Sequence, residues 1–144
     1  MIEQDTVRLL RECDAGVQMG MEAIDGVIEF VGADELEKRL TDCRREHEQL
    51  NDEIRDALHR FHDAGKNPNP MAKGMSWLKT NVRLSVNASD HTIADLMTDG
   101  CNMGVKSLNK YLNQYEAADE KSKDIAKRLI HLEEQLAVDI RQFL

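Results

Sequence analysis

The sequence predicts an all-α fold, a four-helix bundle of two antiparallel helical hairpins joined by a long crossover that itself holds a short helix. Apolar residues recur at spacings of three and four along most of the chain. Aromatic residues make up 4% and there are two prolines, both low for a sheet-rich or loop-rich protein. Helix stop signals divide the chain into short, long and short connections. At 144 residues and 16.4 kDa the chain has room for one core, so residues 1–144 are expected to form a single domain.

The first helical pattern runs from about Thr6 to Val31 with Val7, Leu10, Val17, Met21, Ile24, Ile28 and Val31 on one stripe, and Gly32 stops it. The second begins at Asp34, which with Glu37 three residues on reads as a capping box. Its stripe is close to a heptad seam, Leu36, Leu40, Cys43, His47, Leu50, Ile54, Ala57 and Phe61, before Gly65. Lys66-Asn67-Pro68-Asn69-Pro70 cannot continue a helix. Met71, Met75, Leu78 and Val82 then predict a short crossover helix over about 71–86. Ser89 or Asp90 caps a third helix of about 91–116, carrying Ile93, Met97, Gly100, Gly104, Leu108, Tyr111 and Tyr115. Asp119 opens a fourth, with Ile125, Leu129, Leu132, Leu136, Ile140 and Phe143 facing inward. The hairpins thus span about 5–64 and about 90–144, with the crossover over about 65–89.

Charge and cysteine usage exclude several classes. The net charge of −8 repels phosphate backbones, so no nucleic-acid partner is expected. No apolar run is long enough to cross a bilayer, and no signal peptide opens the chain, so no membrane insertion and a cytoplasmic home are expected. Cys13, Cys43 and Cys101 are odd in number, widely spaced and on apolar stripes, which predicts inert buried thiols. No Ser or Cys has a base in a recognised nucleophilic arrangement, so no catalytic constellation is identified and no cofactor is expected.

An internal repeat is the most informative feature. Gly16-Val17-Gln18-Met19-Gly20 matches Gly100-Cys101-Asn102-Met103-Gly104 at an offset of 84, and Ala33-Asp34-Glu35 matches Ala118-Asp119-Glu120 at 85. Each mid-helix glycine costs about 1 kcal/mol relative to Ala, or about 4 for the set, against a typical stability of about 5–15. The G-x-x-x-G spacing points to helix packing: Gly16, Gly20, Gly100 and Gly104 are expected to let the first and third helices cross closely. A cavity kept for a ligand or ion is the alternative.

On Gly16 to Gly20 with Asp25, the Gly100 to Gly104 copy, and Gly74-Met75-Ser76-Trp77-Leu78-Lys79, the chain resembles the ferritin-like superfamily. More narrowly, it is similar to a bacterial family of small, internally duplicated four-helix bundles that carries a domain-of-unknown-function label. A ferritin-type di-iron site needs one Glu from each of two helices and E-x-x-H from each of the others. Here His47 and His131, 84 residues apart, follow Arg44 and Arg128, and Lys106 stands at the copy position of Glu22. No metal site is therefore carried over.

His47 is the one histidine on an apolar seam and reads as a core histidine bonded to a carboxylate, with Glu133 and Asp14 at hand. His59 and His62, flanked by Asp56 and Asp63, have ligand spacing but read as a solvated helix end. Met19, Met21, Met97 and Met103 sit beside the glycines as adaptable filling, and Trp77 anchors the crossover. The expectation is a non-enzymatic binding or structural module without a di-iron centre. The alternative is a metal-binding or iron-handling oxidoreductase with noncanonical ligands, His47 with Glu22 or Glu133. A homodimer through the outer helix faces is left open.

Overall fold

The structure, a computed structural model, describes residues 2–63, 65 and 89–144. Among these residues there are four long helices and no strand: α1 (Ile2–Val27), α2 (Asp34–Arg60), α3 (Asp90–Gln114) and α4 (Glu120–Ile140). Short 3₁₀ turns follow α1 (Ile28–Phe30) and α4 (Arg141–Phe143). The crossover helix expected over about 71–86, with Trp77, lies outside the described residues. No described helix is long and apolar enough to cross a membrane.

Helices α1 and α2 pack most extensively on each other, as do α3 and α4, while α4 also touches α2 and α1 and α1 touches α3. Helix α1 therefore meets all three others. This explains why its N-terminal half is buried beyond one stripe: Leu9 and Cys13 join Leu10 and Val17 in the core, and Thr6 and Asp14 are buried as well.

Local chemistry sets the helix ends. Ser89 Oγ accepts from Thr92 N–H at 3.3 Å at the start of α3, and Asp119 Oδ1 accepts from Ser122 N–H at 2.8 Å at the start of α4, as expected of N-caps. The box expected at Asp34 and Glu37 does not form: α2 starts at Asp34 itself, and its N-cap is Ala33, which offers no side-chain acceptor. The carboxylate of Asp90 instead reaches across from α3 and accepts from Gly32 N–H at 2.8 Å and Ala33 N–H at 2.9 Å. At the opposite end, Asp5 accepts from Ala117 N–H at 3.0 Å and Thr6 Oγ1 from Asp119 N–H at 2.8 Å. Both helix–helix joints are thus tied to another helix by side-chain acceptors. Helix α2 ends at Arg60, before the expected stop, and His62 takes a left-handed φ of 55°.

The buried apolar residues fall into two clusters. One holds Leu9, Leu10, Val17, Leu50, Ile54, Leu108, Ile125 and Leu129; the other holds Ile24, Val27, Leu36, Leu40, Ile93, Met97, Leu136 and Ile140. Between them each helix skips a stretch of fully buried apolar positions, from Val17 to Ile24, Cys43 to Leu50, Cys101 to Leu108 and Ile130 to Leu136, the last bridged by Leu132, which packs on both clusters.

Asp90→Ala removes two hydrogen bonds to a charged acceptor, so it is expected to cost about 1–3 kcal/mol. Asp34→Ala, which removes no cap, should cost no more than about 0.5 kcal/mol. Urea unfolding of the two variants checks the ranking.

Candidate functional site

The skipped layer holds the chemistry. His47 on α2 is 1% exposed and Glu133 on α4 13%, and His47 Nε2 lies 3.2 Å from Glu133 Oε1. His47 Nδ1 lies 2.8 Å from the carbonyl oxygen of Cys43, one turn earlier on α2. A carbonyl only accepts, so Nδ1 carries a hydrogen and donates it. Nε2 then faces a carboxyl group, and this contact is attractive only if one proton lies between them. Burial works against the charged ring, but the side-chain contacts with Cys43, whose Sγ lies 3.6 Å from Nδ1, and with Glu133, together with the electrostatic attraction of each, outweigh it, raising the His47 pKa from 6.5 to about 10. At neutral pH this is an imidazolium held by a carboxylate between two apolar clusters.

The glycines explain how the pair fits. A Cβ on Gly20 would stand 2.5 Å from His47 Nε2 and 2.7 Å from its Cδ2, inside the ring's contact distance. On Gly104 a Cβ would stand 3.6 Å from Oε2 of Glu133. Each of these glycines thus leaves room for a polar side chain from the neighbouring helix of the pair. For the other two, a Cβ on Gly16 would meet Leu129 of α4 at 3.6 Å, and one on Gly100 would meet no described residue within 4 Å. Among the described residues, the space that Gly16, Gly20, Gly100 and Gly104 free is thus filled by His47, approached by Glu133 and Leu129, or open.

The empty part is a cavity of about 190 Å³ bordered by all four glycines. Its walls, among the described residues, are chiefly aliphatic and thioether: Met19, Ala23 and Ile24 from α1, Leu96, Met97 and Leu108 from α3, and Leu129 and Leu136 from α4. His47, Glu133, Cys101 and the hydroxyl-bearing Ser107 and Tyr111 form the polar part of the wall, and Glu12, Asp99 and Met103 also border the space. Met103 is 67% exposed and Gly100 is exposed too, which puts the mouth on the α3 side.

The thiols bordering this layer are not poised for reaction. Burial, then the charge of Glu133 and its hydrogen bond, pushes Cys101 up, and burial pushes Cys43 up despite its His47 neighbour. Cys13 is pushed to about 12 by burial, with Glu12 and Asp14 adding to it. All three are free, buried and protonated at neutral pH.

The chain matches no family model, no curated protein and no solved structure.

The site therefore stands on its own geometry. Of the residues named for a noncanonical metal site, His47 and Glu133 meet, while Glu22 is exposed and does not border the cavity. Among the described residues no group of three or more His, Cys, Asp and Glu is placed to hold a metal ion. Arg44 and Arg128 also stay outside it. Arg44 binds Asp25 through two bonds of 2.6 and 3.0 Å and also pairs with Glu48; Arg128 binds Glu53 through two bonds of 2.8 Å and Asp124 at 2.9 Å. They clamp α2 to α1 and α4 to α2 from outside. His59 and His62 are exposed, and His131 is 82% exposed. Asp14 is buried on α1, with Arg55 Nε at 3.5 Å, and belongs to the first core cluster's surroundings, away from His47.

The inward partner of His47 was hidden by the repeat itself. The glycine copies are 84 residues apart, but His47 and Glu133 are 86 apart and occupy the same place counted from the first residues of their helices, Asp34 and Glu120. Helix starts, not the glycine offset, carry this signal.

Two outcomes follow. Gly20→Ala should cost about 1–3 kcal/mol because the buried ring must move, whereas Gly100→Ala should gain up to about 1 kcal/mol from helix propensity; thermal unfolding compares them. His47 has its folded pKa raised above the unfolded value, so its stabilisation is complete below pH 6.5 and is lost as pH rises toward about 10. Urea midpoints across that window should fall for the wild type, and that fall should be smaller in His47→Gln, where Glu133, Cys43 and Cys101 remain.

Proposed function

We propose that this chain is a non-enzymatic binding module whose ligand site is the cavity between α1 and α3, built on a ferritin-like bundle without a di-iron centre. The ferritin-like part rests on the sequence resemblance and on which ends meet. The start of α1 lies by the α3/α4 joint and, through Arg11 and Asp63 at 3.8 Å, by the end of α2; the start of α3 lies by the α1/α2 joint. These contacts support α1 and α4 running one way and α2 and α3 the other, with the end of α2 and the start of α3 at opposite ends of the bundle. An internal duplication accords with the similar placement of His47 and Glu133 in α2 and α4.

The observation that carries the binding reading is Gly100. A helical glycine whose added Cβ would meet no described residue within 4 Å brings neither close packing among those residues nor helix stability, yet it borders an apolar cavity of about 190 Å³. An apolar space of that size forfeits dispersion contacts unless something occupies it. The metal-binding alternative is favoured by one feature: Nδ1 of His47 is fixed by a carbonyl, as in many metal-ligating histidines. Glu133 already engages Nε2, the nitrogen that a metal would need, so the organic-ligand reading is preferred.

Gly100→Leu places a side chain in the open space. Its melting temperature should be unchanged or higher, by the equivalent of about 1 kcal/mol. The wild type should bind toluene, seen as a saturable thermal shift, and Gly100→Leu should not. Stoichiometric metal in untagged protein would favour the alternative.

A further inference from the structure

We infer that the cavity selects a single aromatic ring bearing one hydrogen-bond donor, of the phenol type, with the ring held by the thioether and aliphatic wall and the donor on the Glu133 carboxylate. This rests on the binding reading above and specifies what that site takes.

Size and lining choose the ring. An apolar cavity of about 150 Å³ is enough to hold benzene, so 190 Å³ fits a six-membered ring with one substituent and little more. Three methionines, Met19, Met97 and Met103, border the space, and thioether sulfur makes favourable contacts with aromatic rings. The faces left bare by Gly16 and Gly100 admit a flat molecule without displacing a side chain.

Proton counting at the polar wall chooses the donor. Both ring nitrogens of His47 are engaged, Nδ1 on the Cys43 carbonyl and Nε2 on Glu133 Oε1, so the imidazolium has no hydrogen left to offer a ligand. Glu133 spends only one oxygen on His47. Its Oε2 stands beside Gly104, and although the Cys101 thiol also hydrogen-bonds this carboxylate, its two oxygens have lone pairs to accept a further bond. The pair therefore presents a charged acceptor, which favours a ligand that supplies a donor. Anions are rejected for the same reason, more strongly because Glu12 and Asp99 also border the space.

Isothermal titration at pH 7 with phenol, toluene and benzoate tests this. Phenol is neutral at that pH, toluene has the same ring without a donor, and benzoate has an acceptor and a charge. The expected result is phenol binding at least about tenfold more tightly than toluene, with benzoate weaker than both. In Glu133→Gln, which loses the charge on the acceptor, the phenol preference should shrink to about threefold or less. Should that variant fail to fold by circular dichroism, Gly104→Ala serves instead. Its Cβ makes an ordinary 3.6 Å contact with Oε2, and covering that oxygen should weaken phenol and spare toluene. Equal binding of phenol and toluene, or benzoate binding as well as phenol, overturns the inference while leaving the cavity a ligand site. Binding of none of the three overturns the binding reading and the inference together.

Discussion

A proton shared by His47 and Glu133 is the constraint around which the bundle is arranged. Two groups that would each be costly to bury alone are buried together, and each needs the other in its charged form. Everything near them is consistent with protecting that contact. The Cys43 carbonyl fixes the ring's orientation, Gly20 leaves the ring its volume, and Gly104 gives the carboxylate room. The apolar core is split into two clusters with the His47–Glu133 layer between them, where the apolar residues, Met21, Val105 and Leu132 among them, are only partly buried.

Helix composition and order were legible in the sequence because they depend on local signals. Periodicity, Ser89, Asp119 and the turn residues each act over a few positions. The seam of α2 was readable almost residue by residue, His47 included, since that helix has a single buried face. Helix α1 was less so, because a helix touched on three sides buries residues that no single stripe predicts.

What remained hidden depends on residues far apart in the chain. Asp34 looked like a cap, yet the acceptor that satisfies Gly32 and Ala33 comes from Asp90, and no local pattern announces an acceptor from another helix. The glycines announced their cost but not the reason for it, since a small residue reads the same whether it admits a backbone, a side chain or a ligand. His131 drew attention by matching His47 at the glycine offset, but it points outward, and Glu133 takes the inward place. Arg44 and Arg128 read as intruders in a metal site; in three dimensions they are external clamps.

The contact between His47 and Glu133 joins equivalent positions of α2 and α4 through unlike groups. Two identical hairpins assembled about a symmetry axis would bring like against like there, either two imidazolium ions repelling each other or two carboxylates doing the same. A heteropolar handshake at that place is open only to a pair whose members are chemically distinguishable. Carrying α2 and α4 in one polypeptide guarantees that the two complementary groups are always made in equal number and find each other.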